Sequence, residues 1–241
     1  MDNANRVAQE DVDAAFPRWH RERVTRSRWI RSAAALALLV GVCGATFDDT
    51  RSALPPPAPR VPVAKGRTLF ADDFSSSRLV GWRTDQPKVW SVVRGMLRAD
   101  LPDHKQLRAL LMAGDSTWTN VAIDLDVCMM RGVDKGVVVR VLDGKGLGID
   151  LRGGEYQDLV VYQGALPIGR ATAINGNGTW NHLRVELRGT HFKVVVNGDT
   201  LLEREGRLYL TERGGIALPA YTGGSGQCTV YYDNVVVTAL D

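Results

Sequence analysis

The chain has 241 residues, 44% hydrophobic and 24% charged, with a formal net charge of +3. That composition fits one large globular domain with appendages. The positive charge is crowded into one short segment, so no basic face is left for nucleic acid. Three cysteines (Cys43, Cys128, Cys228) without CxxC or Cys/His spacing argue against a zinc site, and no motif asks for a cofactor.

Residues 1–28 read as a polar, cytoplasmic tail. Its end carries Arg18, Arg21, Arg23, Arg26 and Arg28, with Arg31 just beyond, against a single acid, Glu22. Residues 32–47 have no charge. Adding Trp29, Ile30 and a snorkelling Arg31 brings the run close to the ~20 residues that span a bilayer. Residues 29–47 therefore predict a transmembrane anchor built on Trp29, Ile30, Leu36, Leu38, Leu39, Val40, Val42 and Phe47. Arginines before it and Asp48-Asp49 after it predict a cytoplasmic N-terminus and an exported remainder, a single pass through a bacterial inner membrane. Two readings compete. A cleaved signal peptide is disfavoured by the long charged region and the lack of a small-residue cleavage site. A lipoprotein with Cys43 lipidated is disfavoured by Val42, where a small residue is expected.

Residues 48–67 are a linker. Pro55, Pro56, Pro57, Pro59 and Pro62 favour extended polyproline II, which makes either a semi-rigid spacer or a strip that lies along a neighbouring protein.

Residues 68–241 read as all β. The clearest part is Thr179 onward. Leu183, Val185 and Leu187 alternate with Arg184, Glu186 and Arg188, which is period two with one wet face. Gly189-Thr190 fits a type II′ turn, Phe192, Val194 and Val196 resume the alternation, and Asn197-Gly198 fits a type I′ turn. Upstream, Val121, Ile123, Leu125 and Val127 alternate with Ala122, Asp124, Asp126 and Cys128, and GVVVRV is a more fully buried strand. Short strands recur with glycine turns between them, the rhythm of a sandwich or jelly roll. Asp72-Asp73, Asp143-Gly144 and Asp233-Asn234 read as ordinary turns in place of Ca²⁺ loops, since none has a dense set of oxygen ligands.

The order of these signals resembles the concanavalin A-like, laminin G-like jelly-roll superfamily, and within it bacterial sugar-hydrolase-like domains. The matching pieces are FADDF at 70–74, the Trp90-to-Leu97 turn unit, Trp118 ahead of VAIDLDV, GVVVRV with Arg140, TWNHLRVEL, VVVNG, GGIAL and YYDNVVV. The resemblance implies an antiparallel two-sheet jelly-roll sandwich over 68–241. Laminarinase-type enzymes of the superfamily carry two Glu flanking an Asp on one strand face. Here Asp124 and Asp126 share a face and both Glu are absent, so the two read as solvated charges and the domain as non-enzymatic. Sugar platforms use aromatic faces with a few polar groups, which points to Tyr156, Tyr162, Tyr221 and Arg140. In the resembling fold the closing strand runs near the strand after Trp118, which would bring Cys128 and Cys228 within disulfide reach.

The sequence thus supports an accessory subunit, anchored in lipid, whose exported sandwich stabilises a larger membrane-protein complex (respiratory or photosynthetic assemblies are examples). The alternative is a surface-anchored carbohydrate-binding or glycan-processing module.

Overall fold

Every alternating stretch named above becomes a strand. The computed structural model describes residues 53–59, 65–205 and 212–241. Its strands are β1 (Thr68–Asp72), β2 (Trp82–Arg83), β3 (Trp90–Val93), β4 (Met96–Leu101), β5 (Arg108–Ala113), β6 (Val121–Arg131), β7 (Asp134–Leu142), β8 (Lys145–Arg152), β9 (Asp158–Gln163), β10 (Leu166–Thr172), β11 (Trp180–Arg188), β12 (His191–Val196), β13 (Asp199–Glu205), β14 (Gly215–Tyr221) and β15 (Cys228–Ala239). They form two antiparallel sheets. The first runs β13-β12-β11-β6-β15-β4-β3, with β1 also on β15; the second runs β10-β9-β8-β7-β14-β5-β2.

The β11–β12 hairpin follows its turn chemistry. Gly189 has φ 51°, and Asn197 and Gly198 have φ 54° and 93°, as a type I′ turn demands of both central residues. Leu183 faces Val196 and Val185 faces Val194 across the ladder. The core lies between the sheets. Ile123, Leu125 and Val127 of β6, Leu183 and Val185 of β11 and Val230 of β15 meet Val137 and Val139 of β7, Ile149 and Leu151 of β8 and Leu218 of β14. Each such side chain contributes about 1.5–3 kcal/mol by leaving water. Tyr232 also lies in this core and donates its hydroxyl to the Pro219 carbonyl at 2.6 Å, so its polar tip is satisfied.

The cysteine pairing is corrected. Both thiols are buried and free. Cys128 points out of the first sheet beside Met96 and Tyr231, whereas Cys228 points into the main core. Cys128 sits opposite Tyr231 and Cys228 opposite Leu101, so a full sheet thickness and a register offset separate them. The expected anchor (29–47) and the arginines around it lie outside the described residues. Among the described residues no helix is long and apolar enough to cross a membrane. Part of the linker, residues 53–59, rests on the outer face of the first sheet: Leu54 packs against the cluster of Met96, Cys128 and Tyr231 there.

Candidate active site on the outer face of the second sheet

Ile149 and Leu151 point into the core, so strand alternation sends Gly146, Gly148, Asp150 and Arg152 of β8 outward. Register then lays out rows across this face. Thr172, Asp158, Arg152 and Asp134 stand side by side on β10, β9, β8 and β7. Arg170, Val160, Asp150 and Gly136 form the next row, and Tyr162, Gly148, Val138, Ala217 and Met112 the one after. Gly148 puts no side chain on this face between Tyr162 and Val138, two residues along β8 from Asp150, and leaves a shallow hollow there. Gly136 is fixed by its backbone, because a Cβ there would come within 2.0 Å of the Ile149 carbonyl oxygen.

Asp134 and Asp150 are diagonal neighbours, a relation that puts their Cα atoms about 7–8 Å apart. Burial, and next the charge of Asp134, push the Asp150 carboxyl well above the usual carboxylate range. Arg152 opposes that shift, but its guanidinium is held by Asp158 through two bonds of 2.8 and 2.6 Å and lies 4.2 Å over the Tyr156 ring. Burial also raises the Tyr162 phenol, with Asp150 adding to the effect. It lifts Tyr221 to about 12, helped by Asp134, and the Tyr221 hydroxyl donates to Gln106 Oε1 at 2.5 Å. Gly223 makes room for this end of the site, since a Cβ there would lie 2.6 Å from Asp134 Oδ2. On the inner side of the same strand end, buried Lys135 donates to Asn175 Oδ1, and burial brings its ammonium down to about 8. Asn175 in turn donates to the Arg152 carbonyl at 2.9 Å, which ties the 173–178 loop to the strand that carries Arg152.

Of the expected platform, Tyr162 and Tyr221 lie on this face and Tyr156 stacks on Arg152 at its rim. Arg140 does not join them. It sits at a bulge in β7 with φ 53°, is buried, and donates to the Thr119 carbonyl at 3.3 Å. Asp134, Asp150, Arg152 and Asp158 were absent from the expectation. The signal for Asp150 and Arg152 was GLGIDLRG, where glycine and charge share one period-two face.

The first sheet carries the opposite case. Asp124 and Asp126 are 0% and 1% exposed, which corrects their reading as solvated charges. β6 lies between β11 and β15, and His182 of β11 reaches across to both acids, Nδ1 to Asp126 at 2.8 Å and Nε2 to Asp124 at 3.3 Å. Arg184 adds a 3.3 Å contact to Asp124, and the Asn234 amide donates to Asp126 at 2.7 Å. Burial opposes charge on His182, yet bonds to Asp124 and Asp126 outweigh it and raise the imidazole to about 9. Among the described residues no group of three or more His, Cys, Asp or Glu side chains is placed to hold a metal ion.

The two antiparallel sheets form a jelly-roll-like sandwich with a polar hollow on one outer face. The carbohydrate-binding module CBM66 of Bacillus subtilis superposes with a TM-score of 0.55 at 14% identity, over 66% of this chain and 96% of that one. The GH43 protein BlXynB of Bacillus licheniformis gives 0.55 at 17%, over 76% and 42%. A Bacillus subtilis protein with a galectin-like fold gives 0.55 at 10%, over 73% and 97%. At such identities the likeness is one of fold. No curated protein matches the chain in sequence. Residues 68–238 match the 3-keto-alpha-glucoside-1,2-lyase-like domain, and the chain belongs to that family. Membership corrects the expectation of a structural subunit clamping a membrane complex; the carbohydrate alternative stands in its place.

Proposed function

We propose that the domain is a glycan-processing enzyme that performs a 1,2-elimination on a 3-keto glucoside held in the hollow of the second sheet. A ketone at C3 acidifies the C2 proton. Removal of that proton and departure of the C1 oxygen break one C–H and one C–O bond and leave a C1=C2 double bond. The step asks for one carboxylate that takes a proton and one acid that gives a proton to the leaving oxygen. The observation that carries the reading is the Asp134–Asp150 pair beside a side-chain-free floor. Asp150 keeps its proton through burial and the neighbouring acid, which suits it to be the donor, with Asp134 as the base. Tyr162, diagonal to Asp150 and held protonated, is in this reading the donor to the oxygen that gains charge at C3.

The test is turnover of a 3-keto-α-glucoside by the purified protein, followed through the ultraviolet absorbance of the conjugated ketone. D150N should lower kcat/KM by about 10²–10⁴-fold. Unchanged turnover in D150N sinks the assignment, and sugar binding without turnover in the wild type leaves a carbohydrate-binding module. The same proposal sets the domain on the exported side of a bacterial inner membrane. Its support is the arginine cluster from Arg18 to Arg31 ahead of the apolar run. A reporter fused after Asp241 should be active only outside the cytoplasm.

A further inference from the structure

Residues 53–59 read Ala-Leu-Pro-Pro-Pro-Ala-Pro. Proline has no N–H, so the polar demand of such a strip falls on its carbonyls. Three side chains of the first sheet and its closing bulge answer that demand. Tyr231 donates its hydroxyl to the Ala53 carbonyl at 3.5 Å, Trp180 Nε1 to Pro56 at 2.6 Å, and Asn234 Nδ2 to Pro59 at 3.4 Å. The accepting residues are spaced by three, the repeat of polyproline II. Trp180, Cys128 and Tyr231 stand in one row across β11, β6 and β15. Two strand spacings make about 9.6 Å, and three polyproline II residues rise about 9.3 Å. The Tyr231 and Trp180 donors therefore stand one turn of the strip apart, and Asn234, back on β15 at its bulge, takes the third carbonyl.

The floor between the donors is apolar. Leu54 packs with Met96, Cys128 and Tyr231, alongside Met130 and Trp180, and Pro55 is buried. The Asn234 donor is set beforehand, because its amide also binds Asp126, which His182 holds. Fixed proline φ angles keep the ordering cost of such a strip low. We infer that the outer face of the first sheet is a polyproline II-reading surface, and that residues 53–59 are its resident occupant, docked in cis. This surface is independent of the sugar reading, since it lies on the other sheet.

Cys128 reports the docking, because it is fully buried in the cluster that Leu54 joins, while Cys228 sits in the main core as an internal control. The experiment is native alkylation of the full chain with the two thiols resolved by mass spectrometry. In the wild type both should resist. In the L54D/P56G variant the Cys128 rate should rise by roughly tenfold or more, with Cys228 still protected, as expected for a local opening. A peptide of sequence SALPPPAP in excess should return Cys128 to slow labelling, and a peptide with glycine for the three central prolines should not. No rise in the variant, or a rise that the proline peptide does not reverse, overturns the proposal. Should that variant open both thiols, W180F carries the test, since it keeps an aromatic ring and loses the donor to Pro56. Cys128 should then label faster with Cys228 unchanged, and an unaltered rate overturns the proposal.

Discussion

On the outer face of the first sheet, Asp124 and Asp126 each meet a cation: His182 touches both, and Arg184 reaches Asp124. On the outer face of the second, Asp150 stands diagonally from another acid, and its nearest arginine is committed to Asp158. Both faces carry carboxylates, but one closes its charges into a network and on the other desolvation, and next Asp134, push the Asp150 carboxyl up. A buried acid with a saturated set of partners stabilises a fold, whereas a half-buried acid raised by desolvation and a like charge is a candidate for proton transfer. The contrast is how a site is told from a scaffold when the same residue types occur in both.

The contrast breaks most visibly at Asp150. D150N should cost about 10²–10⁴-fold in kcat/KM while Tm at neutral pH holds or rises. A raised carboxyl favours the folded state only while protonated, and that stability is lost as pH climbs through its folded value. A large Tm loss at neutral pH would make Asp150 a structural residue and erase the contrast. D126A should do the reverse. It strips His182 and Asn234 of a buried partner, for which about 3–5 kcal/mol is expected, and urea unfolding measures it. Turnover by the folded fraction should be unchanged.

A smaller effect sharpens the same comparison through pH. The folded His182 lies near 9 against an ordinary 6.5. Its contribution is therefore complete below the ordinary value and is lost as pH rises through the folded one. Stability measured from neutral pH to about pH 10 should fall, and H182Q should flatten that fall; an identical slope in the variant contradicts the network. The smallest effect belongs to Glu203, half-exposed, 3.8 Å from Lys193 on the same sheet. E203Q should change stability by no more than about 1 kcal/mol. A larger loss would mean that membership of the first sheet, and not burial, gives an ion pair its weight.

The β11–β12 hairpin was legible in the sequence because its cues are local: period two, then Asn197-Gly198. The outward direction of Cys128 was equally legible from its place beside Asp124 and Asp126. Its pairing was not, because the face of Cys228 depends on the register of β15, which slips at bulges. Solvation of Asp124 and Asp126 was misread for a related reason. Alternation tells which face a residue occupies and says nothing of what lies over that face, and His182 reaches them from 56 and 58 residues away. The hollow was hidden in the same manner. Gly148 looks like a turn residue in a string of letters, and only register sets it between Val138 and Tyr162 as a missing side chain near Asp150.

Residues 53–59 enter the domain across the sheet that does not carry the hollow. The strip and the proposed sugar face are therefore back to back, with the whole thickness of the sandwich between them. Proline-rich segments are commonly judged by how far they reach; here residues 53–59 also occupy one of the two outer faces and leave the other to the Asp134–Asp150 pair.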